Sequence, residues 1–365
     1  MRKKLIRMFL VELAIVIIFF LFFFSRNNIY DLQFQNALPI NINEKSVDLS
    51  TKSKLYLELE RGLLEGEERI NLKNISFFKD PKEIFNILEE ISNENPEVMY
   101  YKAAEYQFGN LTLYYSKTKG EIKKHQDEIR IRRKEFITNY ISEEMSDYEK
   151  ILTIHDYIIN NSKYDERLFM EGIVSPESYS SYGILILGRG VCEGYAKSMK
   201  YLLDGVGIES MIVIGESKGE NHAWNLVKID DEYYHIDSTW DDPVTNDGSN
   251  VLRYNFFNLN DEEISKTHIW NKEDYPSANG EKFNYFTYNN LIFNEEDIRN
   301  EIKNSLFNRK SHLLVKIENF NSKEIMLNKI IENIVYENYK LIKLKSYSYS
   351  IDEDYGIFSF DFYYY

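Results

Sequence analysis

Across 365 residues the chain has one cysteine, Cys192, so no disulfide can form within it and no cysteine cluster can hold a zinc ion. Order must come from buried apolar surface. With 43% hydrophobic residues and 6 prolines, the chain is too apolar to stay disordered and long enough for two or three packed cores. Its 59 acidic residues outnumber 44 basic ones, a net charge of -15. That excess argues against nucleic acid as a partner, because such affinity rests on Lys and Arg displacing counterions.

After Arg2, Lys3, Lys4 and Arg7, the run from Met8 to Phe24 is apolar except for Glu12, just long enough to cross a bilayer as a helix. The basic head puts the short end in the cytoplasm and everything beyond Arg26 outside. A cleaved signal peptide is the rival, but residues 22–25 lack a small-x-small cleavage pattern. Glu12 opposes the anchor by about a few kcal/mol unless protonated, paired or near the interface. The expected partition is a tip and transmembrane anchor over 1–25 and an Asn-rich spacer over 26–53, at the cell membrane in a single pass.

Residues 54–116 read as a small α+β module: a strand over Leu55 to Leu59, a helix after Asp80-Pro81, and strands around Val98 to Tyr101 and Leu111 to Tyr115. Two helices follow. The first carries Ile122, Ile129, Phe136 and Tyr140 on one side, and the second opens on the capping box Ser146, Glu149. The basic stretch Arg130, Arg132, Arg133, Lys134 reads as a solvated helix face shared with acidic neighbours, the alternative being an anionic polymer site. Residues 276–365 read strand, helix, strand, helix and two strands separated by 352–356, an α/β sandwich. The aromatic tail Phe358 to Tyr365 is expected as core strand, with a glycan- or peptide-binding face as the alternative.

The segment 188–242 holds the candidate chemistry. Apolar residues Tyr195, Met199, Leu202 and Leu203 mark a helix that ends at Gly205, so Cys192 falls at its N-terminus. There, unpaired backbone N–H groups favour a thiolate over a thiol; the alternative is a buried, inert cysteine. Strand-like runs His222 to Ile229 and Tyr233 to Asp237 follow. With a two-residue loop Asp230-Asp231, paired positions sum to 461, which makes His222 and Asp237 diagonal neighbours on one face. A base for the thiol and an acceptor for the other ring nitrogen then stand side by side. Alternation gives His235 the same face, and spacing leaves either histidine open as the base.

Three motifs, Gly190-Val191-Cys192-Glu193-Gly194-Tyr195-Ala196, Asn221-His222-Ala223-Trp224-Asn225 and Tyr234-His235-Ile236-Asp237-Ser238-Thr239-Trp240, in this order resemble the core of the transglutaminase-like superfamily of papain-type thiol enzymes. The resemblance spans roughly residues 146–270. It implies Cys192 as nucleophile, His222 rather than His235 as general base and acid, and Asp237 as the residue that orients His222, with Asn225 and Trp240 shaping the site. It also implies a papain-like core, N-terminal helices against an antiparallel sheet, as a catalytic domain over 117–275. The chain around Tyr254, Phe257, Asn258 and His268 is similar to clostridial-type members, with no role attached to those residues. Calcium-binding elements are not evident: Asp241, Asp242, Asn246 and Asp247 do not match a D-x-[DN]-x-[DN]-G loop and read as a solvated turn.

The expected activity is attack by Cys192 on a peptide or carboxamide carbonyl of a cell-surface protein, through a thioester, with no cofactor or metal. One oxyanion donor is the N–H of Cys192 and a second is Tyr182. Water as second substrate makes a peptidase or amidase, slightly favoured; an amine makes a cross-linker. A metal hydrolase built on His222, His235 and Asp237 lacks a ligand spacing such as H-E-x-x-H. A surface binding or scaffold protein that keeps the fold without turnover is the non-enzyme alternative.

Overall fold

Leu55, Leu59 and Leu63 recur every four residues and bury one stripe of a helix, α1 (Lys54–Leu64), while Leu57 between them is 52% exposed. The strand expected there was an apparent alternation over too short a window; the 3.6-residue period decides it. The structure is a computed structural model that describes residues 54–74, 81–245, 251–318, 320 and 327–365. The anchor and spacer expected over 1–53 lie outside the described residues, and among those described no helix is long and apolar enough to cross a membrane. Asn271–Tyr275 group apart from the rest and hold a short 3-10 turn over Lys272–Asp274.

In the first part, α1 and α2 (Pro81–Glu94) cover a three-stranded sheet in the order β1-β3-β2, with β1 Arg69–Asn71, β2 Tyr101–Gln107 and β3 Asn110–Tyr115. Its core joins Leu59, Leu63, Ile84, Leu88 and Ile91 to Leu111 and Leu113. The strand expected from Val98 begins at Tyr101, after Tyr100 has taken a left-handed φ of 64°. α3 (Lys119–Tyr140) and α4 (Asp147–Asn161) both start on complete capping boxes, Thr118 with Glu121 and Ser146 with Glu149. Arg130 pairs with Glu97 and Asp127, Arg132 with Glu135, and the Arg133 guanidinium lies 4.1 Å from the Tyr201 ring centre. The three arginines of the basic stretch are therefore engaged by their own neighbours.

The central layer is a five-stranded antiparallel sheet, order β10-β6-β7-β8-β9, comprising β6 Ser210–Ser217, β7 Glu220–Ile229, β8 Glu232–Ile236, β9 Phe257–Leu259 and β10 His268–Trp270. Ahead of it, β4 (Lys163–Tyr164) and β5 (Arg189–Gly190) form a short parallel pair that leads into α5 (Cys192–Gly205). The β7–β8 register is the one the two-residue loop required: Ile229 faces Glu232 and Asn225 faces Ile236, with Asp230 at a φ of 54° in the turn. Ile129, Phe136, Ile151, Ile154, Met199 and Leu202 pack from α3, α4 and α5 onto Val227, Ile229, Tyr234 and Ile236. Each such side chain, fully buried, contributes about 1.5–3 kcal/mol.

At the C-terminus, β11 (Ile292–Phe293), β12 (His312–Ile317), β13 (Leu344–Asp352) and β14 (Ile357–Tyr364) order as β11-β12-β14-β13, with β11 parallel to β12. α6 (Glu295–Phe307) and α7 (Leu327–Ile342) cover one face through Ile298, Ile302, Leu306, Ile331 and Ile334. Phe358, Phe360 and Phe362 are buried there, as expected of core strand, while Tyr363 and Tyr365 of the same tail are exposed.

Candidate active site

Cys192 begins α5, and the N-cap residue Val191 has no side-chain acceptor, so the first-turn N–H groups are not satisfied by a cap. The thiol is partly exposed at the positive end of the helix. What holds this end in place is the carbonyl of Ser178, which accepts the Val191 N–H at 2.9 Å. A Cβ on Gly194 would stand 2.5 Å from that same oxygen. Gly194→Ala is therefore expected to push α5 away from the loop, costing about 1–3 kcal/mol and slowing iodoacetamide capture of Cys192; a melting curve and an alkylation time course check it. An unchanged melting temperature would mean that the close approach is not constraining.

His222, 8% exposed, engages Asp237 Oδ2 through Nε2 at 2.7 Å. That leaves Nδ1 for Cys192, whose side chain is its other hydrogen-bond partner. Burial works to lower the imidazole, but the Asp237 charge and hydrogen bond, together with Cys192, outweigh it and raise His222 to about 10. Burial likewise opposes the charge on Asp237, and the facing imidazoles of His222 and His268 hold that carboxyl well below its usual range. A histidine raised in the fold stabilises fully below its ordinary value of 6.5 and loses this as pH rises through about 10. The depressed Asp237 contributes above 3.8 and loses it as pH falls. The couple should thus favour melting temperatures that peak between about pH 4 and 6.5, and His222→Ala should remove the alkaline part of the decline. Parallel melting profiles for the two proteins would contradict this.

Asp237 Oδ2 has a second donor that its spacing from His222 did not announce: His268 on β10, whose Nε2 lies 3.0 Å away and whose ring is buried. The three groups hold ligand-type atoms within 4.8 Å of one another, at hydrogen-bond separations of 2.7 and 3.0 Å about one carboxylate oxygen. His235 is not part of this cluster. It accepts from Trp224 Nε1 at 3.0 Å and meets Asp261 at 2.9 Å through its other nitrogen. The fold therefore does not assemble the set His222, His235, Asp237, because His235 lies one diagonal further along the sheet, beside the Trp224 ring.

Trp240 does stand beside the couple, its ring 6.2 Å from that of His222 and capped by the Lys218 ammonium at 3.9 Å. Asn225 acts from the other face of β7: its Nδ2 donates to the Ala196 carbonyl at 2.9 Å and ties α5 to the His222 strand. Tyr182 is placed differently from expectation. Its ring stacks on His125 at 3.7 Å and its hydroxyl turns to Glu128 of α3, which takes it away from an oxyanion role. Tyr164 on β4 instead lies within electrostatic reach of Cys192 and Glu220; burial first, then these charges, push its hydroxyl up, so it stays a protonated donor. Only the β4–β5 pairing brings Tyr164 there, and nothing in the local sequence signals it.

Asp241 and Asp242 are not a solvated turn. Asp241 is fully buried, meets His155 Nε2 at 3.1 Å and accepts the Phe256 N–H at 3.1 Å, while Asp242 accepts the Tyr195 hydroxyl. The segment after Asp237 folds inward because these buried donors need acceptors.

Residues 134–238 match the family model of the Transglutaminase-like superfamily, and the mixed α+β fold carries a transglutaminase-like core. Kyphoscoliosis peptidase from Mus musculus and that from Homo sapiens are each 26% identical over 118 residues, 29% of this chain and 18% of theirs. The chain thus matches less than a fifth of the length of these curated relatives. A solved structure described as that of a TGase is 14% identical with a TM-score of 0.28, covering 38% of this chain and 43% of that one.

Proposed function

We propose that the chain is an extracytoplasmic thiol enzyme that attacks a peptide or carboxamide carbonyl through a Cys192 thioester, as a membrane-anchored bacterial, clostridial-type member of the superfamily. The observation that carries this is His222, buried between the Cys192 side chain and the Asp237 carboxylate. The thiol proton passes to His222 Nδ1 and the thiolate forms a bond to the carbonyl carbon. The C–N bond of the tetrahedral adduct then breaks as His222 returns the proton to the departing amine or ammonia. Water, or an amine, displaces the thioester and regenerates the thiol. The N–H of Cys192, at the start of α5, faces the developing oxyanion. Hydrolysis is placed ahead of amine transfer because the curated relatives are named peptidases. The apolar run 8–24 behind Arg2, Lys3, Lys4 and Arg7 supports an anchor with the catalytic part outside.

The test incubates the full chain with glutamine-containing peptides and a fluorescent primary amine, under reducing conditions that protect the thiol. Expected are released ammonia or new peptide ends, with little amine incorporated, and neither product with Cys192→Ala. Equal activity in the variant overturns the mechanism; predominant amine incorporation reverses the preference for water.

A further inference from the structure

The thiol centre is connected to the C-terminal sheet. The turn between β13 and β14 carries Tyr355, only 3% exposed, into the flank of the central sheet, where its ring packs 5.2 Å from Phe256 in a cluster with Leu259, Ile264 and Ile357. Asn255 Nδ2 donates to Asp352 at 2.7 Å, Lys266 Nζ donates to the Asp354 carbonyl at 3.2 Å, and Lys316 pairs with Glu263. These contacts lock the turn in place. The Tyr355 hydroxyl then meets Thr267 Oγ1 at 3.0 Å, Thr267 Oγ1 meets His268 Nδ1 at 2.9 Å, and His268 Nε2 meets Asp237 Oδ2 at 3.0 Å.

The hydrogens in this chain can be counted. For His268 to donate from Nε2 to the carboxylate, its Nδ1 must accept in the neutral ring, and the hydroxyl within reach is that of Thr267. Thr267 then needs a donor for its own oxygen, which Tyr355 supplies while it also lies 3.3 Å from the Glu263 carbonyl. Every polar atom of the run is satisfied when the hydrogens point from Tyr355 towards Asp237, with the Tyr355 hydroxyl hydrogen shared between Thr267 Oγ1 and the Glu263 carbonyl, and this arrangement ties the His268 tautomer to a residue 87 positions further along the chain.

We infer that Tyr355 is a positioning residue of the Cys192 centre, acting through Thr267 and His268 to hold the Asp237 carboxylate against His222. The inference rests on the thiol-enzyme reading of Cys192. It assigns the C-terminal sheet a part in activity that goes beyond its own stability. Without the relay, nothing fixes the His268 Nε2–H towards Asp237, the carboxylate plane loosens, and the imidazolium it stabilises forms less readily. The thiolate–imidazolium pair then appears at a higher pH.

The test follows iodoacetamide alkylation of Cys192 in the full chain between pH 5 and 9, alongside melting curves. Tyr355→Phe and Thr267→Val each remove one hydroxyl with little change of shape. Each should move the alkylation profile up by about half a pH unit, and the double variant should move it no further than either single one. His268→Leu should move it by about one unit, and His268→Gln, which restores a donor near the Nε2 position, should recover most of that shift. A relay that only braces the fold would lower the melting temperature and leave the profile where it was; that result, or a downward shift, overturns the inference. His222→Ala separates the two layers of argument. If it abolishes the wild-type profile while Tyr355→Phe changes nothing, the relay alone falls; if it changes nothing, the thiol-enzyme reading falls and the relay with it.

Discussion

Replacing His222 by Ala should lower turnover by about four orders of magnitude or more and slow iodoacetamide capture of Cys192 at neutral pH by at least about tenfold. The physical reason is that one ring serves both halves of the reaction. Before attack it accepts the thiol proton, and the resulting imidazolium is held by the Asp237 carboxylate 2.7 Å from Nε2. After attack it returns that proton to a leaving amine that would otherwise depart as an anion. The helix N-terminus at Cys192 remains in the variant, so some thiolate character survives, and the comparison separates the contribution of the helix from that of the histidine. Alkylation that is equally fast in both proteins would show that the helix end alone activates the thiol, and the Cys192–His222 mechanism would fall with the relay built on it. Slow alkylation in both would mean that the couple, though formed, does not ionise, and a binding role for the fold would then be the better reading.

Asp241→Ala should destabilise the protein by about 3–5 kcal/mol, the usual cost of removing one partner from a buried ion pair. His155 and Asp241 are both completely buried, on α4 and in the turn that follows Asp237. Burial raises the Asp241 carboxyl; His155 is raised against its own burial by the two carboxylates beside it, Asp156 and Asp241. Deleting Asp241 leaves His155 with Asp156 alone and removes the acceptor of the Phe256 N–H. These lost side-chain bonds anchor the turn whose Asp241 N–H meets the Asp237 carbonyl at 3.2 Å, so the turn that positions the His222 partner should loosen, and the alkylation profile should shift with the melting temperature. Asp241→Asn keeps the shape and an acceptor oxygen, and should cost about 1 kcal/mol. Equal melting temperatures for Asp241→Ala and the wild type would show that His155 finds another partner.

Much of this site was legible before any coordinates. The capping box at Ser146, the apolar spacing of Tyr195, Met199, Leu202 and Leu203 in α5, and the Asp230-Asp231 loop are local features, and each implies a backbone geometry through hydrogen bonds or apolar stripes only a few residues apart. The sum rule for β7 and β8 followed from loop length alone, and it is what set His222 diagonal to Asp237. Local windows failed where two periods fit the same letters, as at Leu55, Leu57 and Leu59. They failed again where a polar residue is buried by something distant, as with Asp241, Asp242 and the hydroxyl of Tyr182.

The sequence by itself determined which residue types could do the chemistry and which short elements carry them: one cysteine at a helix start, a histidine and an aspartate on paired strands. Tertiary structure alone decided their environment. Tyr164 comes within electrostatic range of Cys192 through a parallel pairing of β4 with β5, His155 meets Asp241 across 86 positions, and Tyr355 meets Thr267 across 88. Such contacts form because a buried donor or acceptor must find a partner once apolar packing has excluded water. Which partner it finds depends on how whole layers stack, and no local pattern of residues encodes that.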